Sequence, residues 1–208
     1  MIHSELKKFV EIVIIPEYEA FDKAHDSEHV RRVMQNSLTI AADYDVDINM
    51  VYAIAAYHDL GLKYGRDGHE KASGTILRED KRLAAWFSEE QIQIMAEAAE
   101  DHRASSKKSP RSLYGKIISE ADRDLEYITI MKRTLHYSLA NFPEMNCDQH
   151  FERSFSHMKE KYGIGGYMKL CLQTKKNQEA LAVLQEKLEN KNAVREDFQG
   201  VFAELTAK

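Results

Sequence analysis

Val51-Tyr-Ala-Ile-Ala-Ala-Tyr-His-Asp-Leu-Gly61 is an apolar run that ends on two ionisable residues. Read as a helix, it puts Val51, Ile54, Ala55 and His58 on one face and carries an imidazole and a carboxylate into the core. A buried carboxylate costs several kcal/mol unless something pairs with it, and a cation is the usual partner. The chain contains its own control. His25-Asp26 is a second such pair, but it lies in the polar stretch Asp22-Lys-Ala-His-Asp-Ser-Glu-His29, where solvent is expected to satisfy both groups.

Helical periodicity extends outward from this run in both directions. Val30, Val33, Met34, Leu38 and Ala41 form one stripe, and Asp47 is positioned to cap the helix that reaches about Tyr57. Ser88-Glu-Glu-Gln91 reads as a capping box opening a helix with Ile92, Met95, Ala96 and Ala99 inside. Ser109-Pro110 reads as a cap and a first-turn proline before Leu113, Ile117, Ile118, Ala121 and Leu125. Phe142-Pro143-Glu-Met-Asn-Cys-Asp148 and Tyr162-Gly-Ile-Gly-Gly-Tyr167 read as loops, and Gln173 to Leu205 as outer helices rich in Lys, Glu, Gln and Ala. Nine glycines and three prolines offer little turn chemistry for a β fold. The expectation is an all-α protein, with a helical domain over residues 1–135 and a C-terminal helical extension, 136–208, packed on it.

Composition narrows the function classes. A chain of 208 residues that is 43% hydrophobic can bury a sizeable core. The run Ile12-Val-Ile-Ile15 is stopped by Pro16 and is neither a signal peptide nor a membrane span. Cys147 and Cys171 make no disulfide framework and no zinc spacing, which favours a reducing cytoplasm. A net charge of −5 argues against nucleic-acid polymers and leaves room for a small anionic substrate on a local basic patch.

Each N-terminal helix carries an ionisable residue on or beside its apolar stripe. They are His29, His58 with Asp59, His69, His102 and Asp122. Singly, each has a bland reading: a lone histidine on an apolar face is more often a hydrogen-bonded core residue, and Asp122 could pair with Arg123 or cap a turn. Five successive elements with such residues point instead to imidazole and carboxylate ligands on facing helices, the way helical bundles build transition-metal sites.

His29-Val-Arg-Arg-Val33, Ala56-Tyr-His-Asp-Leu-Gly61 and Ile118-Ser-Glu-Ala-Asp-Arg-Asp124, in this order, resemble the three motifs of the HD superfamily of metal-dependent phosphohydrolases. The resemblance covers roughly residues 20 to 130. It implies an HD-domain helical bundle, with additional C-terminal helices, and a metal held by His29, His58, Asp59 and Asp122. His69 and His102 fall where dinuclear members place extra histidines, among them cyclic-nucleotide phosphodiesterases and symmetrical dinucleoside-tetraphosphate hydrolases. Asp59 would then bridge two metals. Leu60-Gly-Leu-Lys63 stands where alarmone hydrolases carry a Glu-Asp pair, which argues against that activity, and the Gly-Tyr-Pro motif of the cyclic-dinucleotide branch is missing.

Mixed imidazole and carboxylate ligands suit Mn, Fe, Co, Ni or Zn, with one ion expected and room for a second. A divalent ion lowers the pKa of water toward neutrality and neutralises phosphoryl charge, so Asp59 is read as catalytic as well as ligating. Lys63, Arg66 and Arg103 are the expected phosphate-binding residues, Lys63 and Arg103 also assisting catalysis, while Lys107 and Lys108 read as a solvated loop. Asp26 is read either as a partner orienting an imidazole or as a helix cap. Tyr64 and Tyr114 are read as base-stacking surfaces or as core packing. His150 and His157 read as surface or packing residues. The expected partner is a small phosphorylated metabolite, a nucleotide first among them. A diiron oxygenase on the same scaffold and a non-catalytic metal-stabilised binding module are the alternatives.

Overall fold

The structure, a computed structural model, describes residues 1–21, 25–103, 108–172 and 174–207. Among them there are helices and turns and no strand. The chain divides into two compact units, Met1–Arg123 and Asp124–Lys208. That division lies upstream of the 135/136 boundary read from the sequence, which would cut a helix, Tyr127–Asn141.

In the first unit, helix α1 (Ser4–Phe9) runs through a π-helical segment, Val10–Ile14, into a 3-10 segment, Ile15–Ala20. Pro16 at the start of that last segment lacks the N–H needed to continue the ladder. Helices α2 (Ser27–Ala41), α3 (Ile48–Tyr57), α4 (His69–Glu79), α5 (Glu89–Glu100) and α6 (Leu113–Ala121) follow. Two starts obey the expected capping chemistry: Asp47 accepts from the Asn49 amide, and Ser88 with Gln91 forms a full capping box. One start differs. The cap of α6 is Ser112, whose hydroxyl accepts from Gly115, and not Ser109.

Helix α3 is the centre of this unit. Every residue from Met50 to Tyr57 is buried, so it is apolar all round and enclosed on all sides. It ends where two ionisable residues begin. Past Asp59, a 3-10 turn, Leu60–Tyr64, leads toward α4, and Gly68 in the left-handed conformation (φ 75°) starts that helix.

The second unit contains α7 (Tyr127–Asn141), α8 (Cys147–Tyr162), α9 (Lys175–Glu189) and α10 (Lys191–Thr206). Its core is conventional: Met131, Leu135, Phe151, Met158, Leu188 and Phe198 are fully or almost fully buried. His150 is buried there too, its Nδ1 2.7 Å from the Ser138 hydroxyl and its ring against Phe202. His157 is exposed. The packing or surface role expected of both is what they have in this unit. Cys147 and Cys171 are not joined in a disulfide. Among the described residues no helix is long and apolar enough to cross a membrane.

Candidate metal centre

Five helix ends converge on Asp59. His29 lies in the first turn of α2, where Asp26 caps the helix by accepting from the Glu28 and His29 amides, both at 3.0 Å. Of the two readings of Asp26, the cap is the one observed. His58 and Asp59 terminate α3, His69 opens α4, His102 follows α5, and Asp122 ends α6.

The Asp59 carboxylate faces two ways. Its Oδ2 lies 3.3 Å from His58 Nε2 and 3.5 Å from His29 Nε2. Its Oδ1 lies 3.3 Å from the Nε2 atoms of both His69 and His102. Asp122 joins the first group, with Oδ1 3.4 Å from His29 Nε2 and 3.9 Å from His58 Nε2. Two sets that could hold a cation result, His29–His58–Asp59 and Asp59–His69–His102, with Asp59 common to both. All six expected ligand residues are therefore brought together.

The tautomers follow from hydrogen bonding. Nδ1 of His58, His69 and His102 lies 2.8, 2.8 and 2.6 Å from the carbonyl oxygens of Ala55, Arg66 and Ala99. A carbonyl can only accept, so each Nδ1 carries a proton, and each ring, when neutral, turns an Nε2 lone pair inward. With both rings neutral, His69 and His102 point two lone pairs at each other across 3.3 Å. Such an arrangement calls for something positive between them. The Nε2 atoms of His29 and His58 are buried without a hydrogen-bond partner; their separations from Asp59 are of ion-pair length but lack hydrogen-bond geometry. His29 differs from the other three: Arg32 Nη2 lies 3.3 Å from its Nδ1, and a guanidinium can only donate.

Electrostatics point the same way. Burial opposes a charge on His58, yet Asp59, helped by Asp122 and the Ala55 carbonyl, holds its pKa up at about 9. His69 is raised as well: burial works against it, and Asp59, the Arg66 carbonyl and the Glu70 charge together outweigh burial. Burial alone would raise the Asp59 pKa, but His58, His102 and His29 pull it well below the carboxylate range.

Two small residues permit this convergence. A Cβ on Gly61 would sit 2.0 Å from the His69 carbonyl oxygen and 2.6 Å from the Ser73 nitrogen, so only glycine lets α4 approach. A Cβ on Gly74 would sit 2.6 Å from Glu100 Cγ, which likewise requires glycine where α4 meets α5. At the end of α5, Arg111 acts as a clasp. Its amide donates to Asp101 Oδ2 (2.7 Å), and its guanidinium donates to Asp101, Glu100 Oε2 (2.6 Å) and the Glu97 carbonyl (2.9 Å).

The expected phosphate-binding residues lie on the rim. Arg103 Nη1 is 3.3 Å from Glu70 Oε2, and Lys63 Nζ is 3.4 Å from Glu17 Oε2. Arg66 and Lys108 are exposed, and Lys107 lies outside the described residues. Tyr64 is 73% exposed, whereas the Tyr114 hydroxyl accepts from the Asp47 amide and so has a structural task. Arg123 donates to Ser119 rather than to Asp122. His25, expected in solvent, is buried with its ring against His29, 5.7 Å between centroids. Its neighbours in sequence are polar, so local composition held no sign of this burial. Sequence reading also passed over Arg32, one helical turn beyond His29, and Glu70, next to His69. Each was legible only as a neighbour of a candidate ligand.

Comparison with known proteins agrees with this geometry. Residues 26–125 match the HD domain family. Among solved structures, the chain is similar to a predicted HD superfamily hydrolase from an uncultured Thermotogales bacterium. The two share 21% identity and a TM-score of 0.50, over 97% of this chain and 91% of that one, a likeness of fold. No curated protein matches the chain. The all-helical fold, the three motifs in their order and the match over residues 26–125 together identify an HD domain in this chain.

Proposed function

We propose that the chain is a metal-dependent phosphohydrolase acting on a small phosphorylated metabolite, a nucleotide first among the candidates. His29, His58, Asp59 and Asp122 hold one divalent transition metal, and His69 and His102 hold a second, with Asp59 bridging. The observation that carries this reading is the Asp59 carboxylate, whose two oxygens each face a pair of imidazoles. Bound there, the ions would activate water and neutralise charge on a phosphoryl group.

The protein's own part is orientation and recognition. Main-chain carbonyls fix three imidazoles with their lone pairs inward, so little is lost in ordering them when a cation arrives. Arg103 and Lys63, each in a loose contact with one carboxylate, can exchange that partner for a phosphate oxygen, and exposed Arg66 adds positive charge. The hydrolase name of the Thermotogales protein supports the reaction class. Cys147 and Cys171, which are not joined in a disulfide, support a cytoplasmic setting.

The test is metal analysis of the purified protein, then phosphate release from a nucleotide panel with Mn, Fe, Co, Ni, Zn or Mg. Bound metal with release from at least one nucleotide is the expected result. Bound iron with oxygen uptake and no phosphate release would replace this reading with an oxygenase.

A further inference from the structure

The main chain from Ala56 to Gly61 carries both central ligands, and two buried hydroxyls hold it from separate elements. Tyr18, fully buried in the segment Ile15–Ala20, donates from its phenol to the Ala56 carbonyl at 2.9 Å. The last carbonyls of a helix have no partner within it. In α3, the Ala55 carbonyl is taken by His58 and the Ala56 carbonyl by Tyr18. The phenol oxygen also lies against the Asp59 amide; burial and the Asp59 charge push its pKa up, and that amide contact partly offsets them. Asp59 then leaves the helix at φ −110°, ψ 4°. Two residues on, the Gly61 amide donates to the buried Ser73 hydroxyl of α4 at 2.9 Å.

We propose that the Tyr18 and Ser73 hydroxyls are positioning groups that hold Asp59 between the two ligand sets, so that one carboxylate serves both. The inference rests on the metal reading of the site. The two roles differ. Tyr18 fixes the turn on which His58 and Asp59 both depend. Ser73 ties that turn to α4, the helix that brings His69, and so governs the second set alone.

Tyr57 provides an internal control. It is on the same helix, but its hydroxyl donates to Asp80 Oδ2 at 2.6 Å, in a contact shared with Arg82. Co²⁺ titration of the full-length chain, followed by visible absorption and equilibrium dialysis, separates the outcomes. Tyr18→Phe should weaken both equivalents of Co²⁺ by roughly three- to tenfold, the range of one hydrogen bond, and should shift the absorption spectrum. Ser73→Ala should weaken the second equivalent by a similar factor and spare the first. Tyr57→Phe should lower the thermal midpoint and leave both unchanged. Wild-type affinity and spectrum in Tyr18→Phe, or equal losses in Tyr57→Phe, would overturn the role of Tyr18. Equal weakening of both equivalents by Ser73→Ala would overturn the division between the two hydroxyls. Wild-type protein that takes up no Co²⁺ would overturn the metal reading itself, and this inference with it.

Discussion

The two units bury histidines in opposite ways. In Asp124–Lys208, His150 is enclosed with a hydroxyl partner on its Nδ1 and a phenylalanine against its ring, among Phe151, Phe198 and other apolar side chains. In Met1–Arg123, His29 and His58 are enclosed with Nε2 atoms that have no hydrogen-bond partner, and His69 and His102 confront each other nitrogen to nitrogen. Burial is common to both. What separates a packing histidine from a candidate ligand is convergence without satisfaction: several imidazole Nε2 atoms turned on one carboxylate, a costly arrangement for a core and a ready one for a cation.

The largest effect expected from this contrast is at Asp59. Asp59→Ala or His58→Ala should strip the metal and abolish turnover while circular dichroism keeps its helical signal; full metal occupancy in both variants would erase the distinction. The mirror experiment is Phe198→Ala in the other unit. Emptying a fully buried aromatic position should cost about 3–5 kcal/mol in denaturant unfolding and leave metal affinity unchanged. If that variant also lost metal, the separation of roles would be wrong.

Gly61→Ala tests how closely the site depends on backbone approach. With main chain 2.0 Å from the new Cβ, the loss should reach or exceed the upper end of the roughly 1–3 kcal/mol usual for overpacking. The second metal equivalent should suffer before the first, as calorimetric titration would resolve. On the rim, Arg103→Ala should lower kcat/KM on the best substrate by roughly 10- to 100-fold, the range of a charge-assisted hydrogen bond, with metal content intact. Unchanged kcat/KM would remove Arg103 from phosphate recognition.

The smallest expected effect is a pH dependence confined to one unit. His58 sits at about 9 in the metal-free fold, above its ordinary value near 6.5. The pairing of charged His58 with Asp59 therefore stabilises the metal-free protein below about pH 6.5, and that contribution fades as pH rises through about 9. Metal must displace the same proton, so the rise in thermal midpoint on adding Mn²⁺ should grow across this window. A midpoint shift that is flat with pH would contradict the assignment of that proton.

Much of this was legible in the chain itself because it rests on local rules. Periodic apolar stripes and capping residues located the helices, and the order of His29, His58-Asp59 and Asp122 located the cluster of candidate ligands. What escaped depends on distance through space. The burial of His25 comes from packing against His29 and not from its polar neighbours. The start of α6 turned on which of two serines, Ser109 or Ser112, reaches an amide. The parting at Arg123 reflects which helices share a core, and no glycine or proline marks it.

The Arg111 clasp has an evolutionary consequence. It joins positions 101 and 111 by side-chain and main-chain bonds, while His102 is anchored to Ala99 just inside. Once the two ends are pinned, doubling the intervening length costs only about 0.6 kcal/mol of closure entropy. Insertions between Arg103 and Arg111 would thus cost folding little and would leave the His102 anchor undisturbed. A lineage could therefore vary the length of this span while keeping the His102 imidazole in its place.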